Sequence, residues 1–111
     1  MGVSIRDTEV SIVKGTSGVL VLPREAVETE PVLPCIRCGK CVEACPIRLL
    51  PVWIAAYAEN DFMEDAEKMR AMDCIECGAC SYVCPSRRPL TQSIRLAKAH
   101  IAAKRRAAAK K

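Results

Sequence analysis

One tryptophan, one phenylalanine and two tyrosines are all the aromatic residues in this 111-residue chain, and its single histidine is His100. So few aromatics leave no platform for base stacking, which argues against nucleic-acid binding. A lone histidine with no companion ligands at suitable spacing does not make a metal site, so His100 is expected at the surface. The longest apolar runs, GVLVLP near residue 20 and VWIAAYA near residue 55, fall far short of the roughly 20 residues that cross a bilayer. The amino terminus, MGVSIRDTEV, lacks the basic start and apolar stretch of a secretory signal, so a reducing, cytoplasmic setting is expected. A phosphate loop, a G-x-G-x-x-G turn and a His-carboxylate pair are also missing, and no independent catalytic site is expected.

Acidic residues are missing from the last third. Residues 77–111 carry 9 basic side chains and no acidic one, whereas residues 1–76 carry 8 basic and 13 acidic ones. The formal net charge of +4 therefore hides a polarised chain. The basic end, with Lys104, Arg105, Arg106, Lys110 and Lys111, reads as a solvated helix face, and no nucleic-acid partner is expected.

What the chain has instead is cysteine. All eight cysteines fall in two segments, CIRCGKCVEACP at residues 35–46 and CIECGACSYVCP at residues 74–85. The second copy lies 39 residues after the first and keeps Cys, Ile, Cys, Gly, Cys, Cys and Pro in matching places, which implies an internal duplication with pseudo-twofold symmetry. Such clustering favours metal over a disulfide framework. C-x-x-C-x-x-C-x-x-x-C-P is the run in which three thiolates hold one iron–sulfur cube and the fourth crosses to the other. The expected ligands of one [4Fe–4S] cluster are thus Cys35, Cys38, Cys41 and Cys84, and those of the other are Cys74, Cys77, Cys80 and Cys45. The proline after each fourth cysteine disfavours helix at that cysteine and turns the chain towards the other run.

Gly39 and Gly78 follow the second cysteine of each run, where unusual dihedrals and close approach of backbone amides to sulfur are expected. Ile36, Ile75, Val42, Val83 and Ala44 are expected to exclude water. Two cubes held by the same pair of segments must lie close together, so an electron can pass between them. Zinc also binds four thiolates, and a zinc-stapled binding module is the alternative from a different class, although zinc sites more often use two Cys pairs than two runs of four. Arg87 and Arg88 are expected near the cluster that Cys84 serves, where they either guide an acidic redox partner or offset the cluster's charge.

Residues 1–30 are expected to be short strands and a linker, the end of an upstream domain: Val10 and Ile12 alternate with polar residues, KGTSG supplies a turn and GVLVL is a short apolar run. Residues 31–103 form the double-cluster domain, mostly α-helical. Between the runs, a helix starts at Pro51, breaks at Asn60-Asp61 and is followed by a second with Phe62, Met63, Ala66 and Met69 at helical spacing. Trp53 and Tyr57, one turn apart, are expected in the core. After the second run, Leu90, Ile94, Ala97 and Ile101 mark a narrow apolar stripe. Residues 104–111 are expected to be a frayed, basic helical tail.

CIRCGKCVEACPIRLLP, followed by DCIECGACSYVCPSRRPL and a helix with RLAKAHI, closely resembles the C-terminal ferredoxin-like domain of RnfC, a subunit of the membrane-bound Rnf electron-transport complex. VSIVKGTSGVLVL is similar to the stretch preceding that domain, so the likeness covers roughly residues 9–105. The resemblance implies an α-helical ferredoxin fold whose two [4Fe–4S] clusters, on all eight cysteines, relay electrons between NADH chemistry and low-potential carriers. It further implies a place on the cytoplasmic side of the membrane, peripheral and held by partner subunits, another iron–sulfur subunit among them. In that family the nicotinamide and flavin sites lie in a larger upstream region, which has no counterpart here, so the chain by itself is not expected to oxidise NADH. Arg87-Arg88 is more basic than the family pattern. The iron–sulfur subunit of a respiratory dehydrogenase or of a heterodisulfide-reductase-like complex shares the double run and is the runner-up.

Overall fold

A computed structural model describes residues 5, 7–27 and 31–109 of the chain. The chain divides into two compact units, Met1–Glu30 and Pro31–Lys111.

In the first unit the expected strands are not formed among the described residues; residues 1–4, 6 and 28–30 lie outside them. A tight turn is present, in which the Thr16 N–H donates to the Val13 carbonyl (2.9 Å) and the Val13 N–H to Thr16 Oγ1 (3.1 Å). The flanking segments make no ladder, and a 3-10 turn follows at Arg24–Val27. Val10, Ile12, Val13 and Val19 to Leu22 all stay exposed. Two short strands by themselves gain too little burial to offset the entropy of ordering them.

The second unit is helical: α1 (Lys40–Glu43), α2 (Pro51–Glu59), α3 (Met63–Lys68), a 3-10 turn at Ala71–Asp73, α4 (Ala79–Tyr82) and α5 (Leu90–Ala109). Pro51 sits at the start of α2, where its missing N–H costs nothing. Asp61, at φ 62°, makes the break before α3. The core lies between α2, α3 and α5 and contains Leu49, Ile54, Ala58, Ala66, Ala71, Ile94, Ala97 and Ile101. The α5 stripe foreseen from spacing is the buried one. Among the described residues, five of the eleven buried apolar ones are alanines, which lets helices approach closely but buries little area per residue. A unit with so modest a core needs a further staple.

The duplication extends beyond the cysteines. With the same offset of 39 residues, α1 maps onto α4, and the starts of α2 and α5 coincide, Pro51 on Leu90. The backbone repeats in detail: Gly39 and Gly78 have φ 80° and 83°, Arg37 and Glu76 have 55° and 57°, and Arg48 and Arg87 have 56° and 51°. At the same offset α3 falls on residues 102–107 of α5, so the first half breaks at Asp61 where the second continues as one helix.

Two further sequence expectations change in the structure, those for Trp53 and for the charge. Trp53 is not in the core but 55% exposed, because the buried face of α2 is made by Pro51, Ile54, Ala55 and Ala58. Tyr57 does pack against the core. The last helix continues through Ala109; Lys110 and Lys111 lie outside the described residues. The charge polarity of the sequence is largely internal complementarity, since Arg88 pairs with Glu59, Arg95 and Lys98 with Glu76, Lys104 with Glu64, and Arg105 with Glu67.

Gly39 needs its freedom for dihedral reasons alone, since a Cβ placed there would meet nothing within 4 Å. Gly39→Ala should therefore destabilise the protein by about 1 kcal/mol through left-handed backbone strain. Gly15→Ala, at a position with equally open space and no positive φ, should be near neutral. Urea titrations of the two variants check the contrast.

Candidate metal centres

Each cysteine run starts extended, bends sharply, makes one helical turn and ends in a proline-directed bend. Its first three thiols face one side and its fourth another. Two cavities result. The first, of about 400 Å³, is lined by Cys35, Cys38, Cys41 and Cys84, with Val52, Trp53 and Ala56 of α2 on one wall. The second, much narrower at about 20 Å³, is lined by Cys45, Cys74, Cys77 and Cys80, with Leu49, Thr91 and Ile94 behind them. Each cavity thus gathers three cysteines of one run and the last cysteine of the other.

Hydrogen bonds explain how the crossing is held. The Leu33 N–H donates to the Ser86 carbonyl (3.0 Å) and the buried Ser86 hydroxyl to the Pro34 carbonyl (2.9 Å). These two bonds tie the chain just before Cys35 to the chain just after Cys84. Within each run, Cys41 and Cys45, or Cys80 and Cys84, are four residues apart, about 6 Å along a helix. A single turn therefore joins the two cavities from either side, and α1 packs on α4 between them.

The two cavities differ in exposure. Cys35 and Cys38 of the first are exposed, with Cys41 and Cys84 half-buried; in the second Cys80 is buried, Cys45 and Cys74 are half-buried, and Cys77 is exposed. Burial pushes the Cys41 and Cys74 thiols up from the ordinary range, partly opposed by backbone N–H groups that favour the thiolate. Ligation of such thiols must release protons. Backbone donors to sulfur are the N–H groups of Arg37 to Cys35 (3.4 Å), Glu76 to Cys74 (3.4 Å) and Leu49 to Cys45 (3.3 Å). Arg37 and Glu76 bring their amides to cysteine sulfur in the left-handed region, at a cost of about 1–3 kcal/mol each. Gly39 and Gly78 set the bend that starts α1 and α4.

The donor chemistry suits iron–sulfur cubes. Eight thiols in two groups of four would supply each of two cubes with a full ligand set, and each cavity has an apolar wall, although Ile36 and Ile75, expected to exclude water, are exposed. The first cavity has room between its sulfurs, while the second is closed down more tightly around its four thiols. Among the described residues no three His, Cys, Asp or Glu side chains converge on a point that could hold a single ion. His100 is exposed beside Glu64, Glu67 and Lys104, away from the cysteines. Arg88, next to Cys84 in space, is turned onto α2, where its guanidinium pairs with Glu59 and the Ser93 hydroxyl donates to the second carboxylate oxygen (3.0 Å).

The sequence motifs gave no sign of the clamp on the second run. Arg95 and Lys98 of α5 donate to the two carboxylate oxygens of Glu76 (2.7 and 2.6 Å), and Lys98 also reaches the Cys74 carbonyl (2.8 Å). Only the i, i+3 placement of two cations on α5 could have hinted at it. No helix among the described residues is long and apolar enough to cross a membrane.

Comparison with known proteins agrees with this geometry. Residues 34–87 match the family described as 4Fe–4S dicluster domain. The chain is 50% identical, over 96% of its length, to a subunit of the Na(+)-translocating ferredoxin:NAD(+) oxidoreductase complex of Acetobacterium woodii, of which it covers 24%. It is 48% identical over 88% of its length to the corresponding subunit of the ion-translocating oxidoreductase complex of Rhodobacter capsulatus, covering 19% of that protein. The equivalent protein of Methanosarcina acetivorans is 42% identical over 90% of this chain, which covers 22% of it. The chain thus spans a quarter or less of the length of these relatives.

The paired cations hold the Glu76 carboxyl below its usual pKa of 4.5, Lys98 first and then Arg95. A depressed carboxylate adds stability that is present above its unfolded pKa and lost as pH falls through the folded value. Glu76→Gln should therefore lower stability by about 1 kcal/mol at pH 7, given the partial exposure of the pair. Urea midpoints of the two proteins should converge as pH drops below 4.5.

Proposed function

We propose that the chain, whose residues 34–87 match the family described as 4Fe–4S dicluster domain, is an electron relay carrying two [4Fe–4S] clusters on crossed ligand sets. One cluster is held by Cys35, Cys38, Cys41 and Cys84, and the other by Cys74, Cys77, Cys80 and Cys45. The observation that carries this assignment is the composition of the two cavities, each with three thiols of one run and the fourth of the other. When bound, the clusters supply one-electron redox chemistry. The protein's own part is to hold the two sets of thiolates one helical turn apart, to donate amide hydrogens to sulfur and to exclude water. Short separation and a rigid frame favour passage from one cluster to the other with little rearrangement.

The relatives' names support a role for this relay within a larger assembly. In our reading the chain works with the other subunits of an ion-translocating ferredoxin:NAD(+) oxidoreductase complex, on the cytoplasmic side and peripheral to the membrane. Residues 31–103 are its double-cluster domain, residues 1–30 the approach from an upstream region, and the basic end a helical extension. The more exposed first cavity, with Ile36 and Trp53 beside it, suits exchange of electrons with another protein. The more enclosed second cavity suits internal transfer. Nicotinamide chemistry belongs to the remainder of such a subunit, for which this chain carries no phosphate-binding loop.

Two outcomes test this reading. Cys45→Ser should perturb the cluster on Cys74, Cys77 and Cys80 more than the one on its own run, with Cys84→Ser doing the reverse; EPR of the reduced variants distinguishes them, and loss confined to the mutated run's own cluster contradicts the crossing. The purified chain should also give no NADH-dependent dye reduction. Turnover by protein free of flavoprotein would contradict that part.

A further inference from the structure

Because the two halves share one backbone, each half is a control for the other. At the second cavity the Thr91 side chain, 2% exposed on the first turn of α5, lies with Oγ1 3.6 Å from Cys80 Sγ. The same oxygen is 2.9 Å from Ser81 Oγ, which in turn accepts the Thr91 backbone N–H at 3.0 Å. A ligating thiolate has no proton to give. Oγ–H of Thr91 must then donate to sulfur, its lone pair takes the Ser81 hydroxyl proton, and the Ser81 lone pair takes the Thr91 N–H. With the thiolate as acceptor, this part-buried chain runs from Ser81 through Thr91 to Cys80.

The first half has no such chain. Counting back 39 residues, Thr91 becomes Val52, Ser81 becomes Val42 and Cys80 becomes Cys41. Val52 lines the first cavity, but neither valine brings a hydroxyl. The backbone frame is thus duplicated while the side-chain donor is present on one side only.

The geometry points to Thr91 as a positioning residue that, through Cys80, raises the reduction potential of the cluster on Cys45, Cys74, Cys77 and Cys80, an inference that rests on the ligation proposed above. Reduction adds negative charge to the cube and its thiolates, so a hydroxyl proton aimed at sulfur favours the reduced form. A purely structural role, with Ser81 and Thr91 pinning α4 to the start of α5, would leave the potential unmoved. The donor therefore makes the two clusters unequal by a side chain that can be exchanged without touching a ligand.

The test is a redox titration of the full chain followed by EPR, with iron content measured alongside, for wild type, Thr91→Val, Thr91→Ser and Val52→Thr. Thr91→Val should load iron as wild type does and move one midpoint to more negative potential. The ratio of reduced to oxidised cluster at fixed potential should fall about three- to tenfold, the upper end being 59 mV for one electron. If the wild-type midpoints coincide, the variant should split the single wave. Thr91→Ser, which keeps the hydroxyl, should restore the wild-type midpoint. Val52→Thr should raise the other midpoint, and it decides the matter if Thr91→Val does not fold. Unmoved midpoints in Thr91→Val with full iron content, or an equal shift of both, overturn the role of Thr91 and leave the two-cluster reading standing. A wild-type chain that loads no pair of reducible clusters overturns that reading and this inference with it.

Discussion

The position of the fourth cysteine in each run is the constraint from which the remaining architecture follows. Three thiols spaced three residues apart surround one cavity, but the fourth, one helical turn on and followed by proline, faces the other. Neither site is complete within its own segment. The two runs must therefore be folded against each other before either cavity has four thiols, and the pieces around them serve that end: α1 against α4, α2 and α5 behind them, and the Ser86 bonds closing the loop from Pro34.

This dependence accounts for features that would otherwise weigh against the fold. The core is short of bulk, with alanines where larger residues would bury more. Among the described residues, six that are not glycine have positive φ, four of them in or beside the cysteine runs. Strain of about 1–3 kcal/mol at each such position persists only where something over-determines the backbone. Thiolate ligation of two cubes would hold the four positions at the cysteine runs, because it couples folding to metal binding.

Much of this could be read from the residues because the chemistry is local. The spacing of eight cysteines, the glycine after each second one, the proline after each fourth, Pro51 at a helix start and the Leu90, Ile94, Ala97, Ile101 stripe are all short-range signals. The features that escaped reading are long-range. The basic end read as a solvated helix face with no partner named, whereas Lys104 and Arg105 find Glu64 and Glu67 some 40 and 38 residues away. Trp53 looked like core because its hydrophobicity was legible while the orientation of α2 against α5 was not. The apolar alternation near the amino terminus pointed to strands, but alternation specifies a strand only where another strand pairs with it. The Ser81–Thr91–Cys80 chain was hidden because serine and threonine near a cysteine are common and nothing but packing fixes where their protons point.

The central claim is that this chain holds two neighbouring cubes. Iron, sulfide and zinc content of the anaerobically reconstituted chain, taken with EPR after dithionite reduction, tests it most directly. The account predicts about eight iron and eight sulfide per chain and a reduced spectrum broadened by coupling between two adjacent spins. Stoichiometric zinc with no reducible cluster, or about four iron with an uncoupled spectrum, would contradict it.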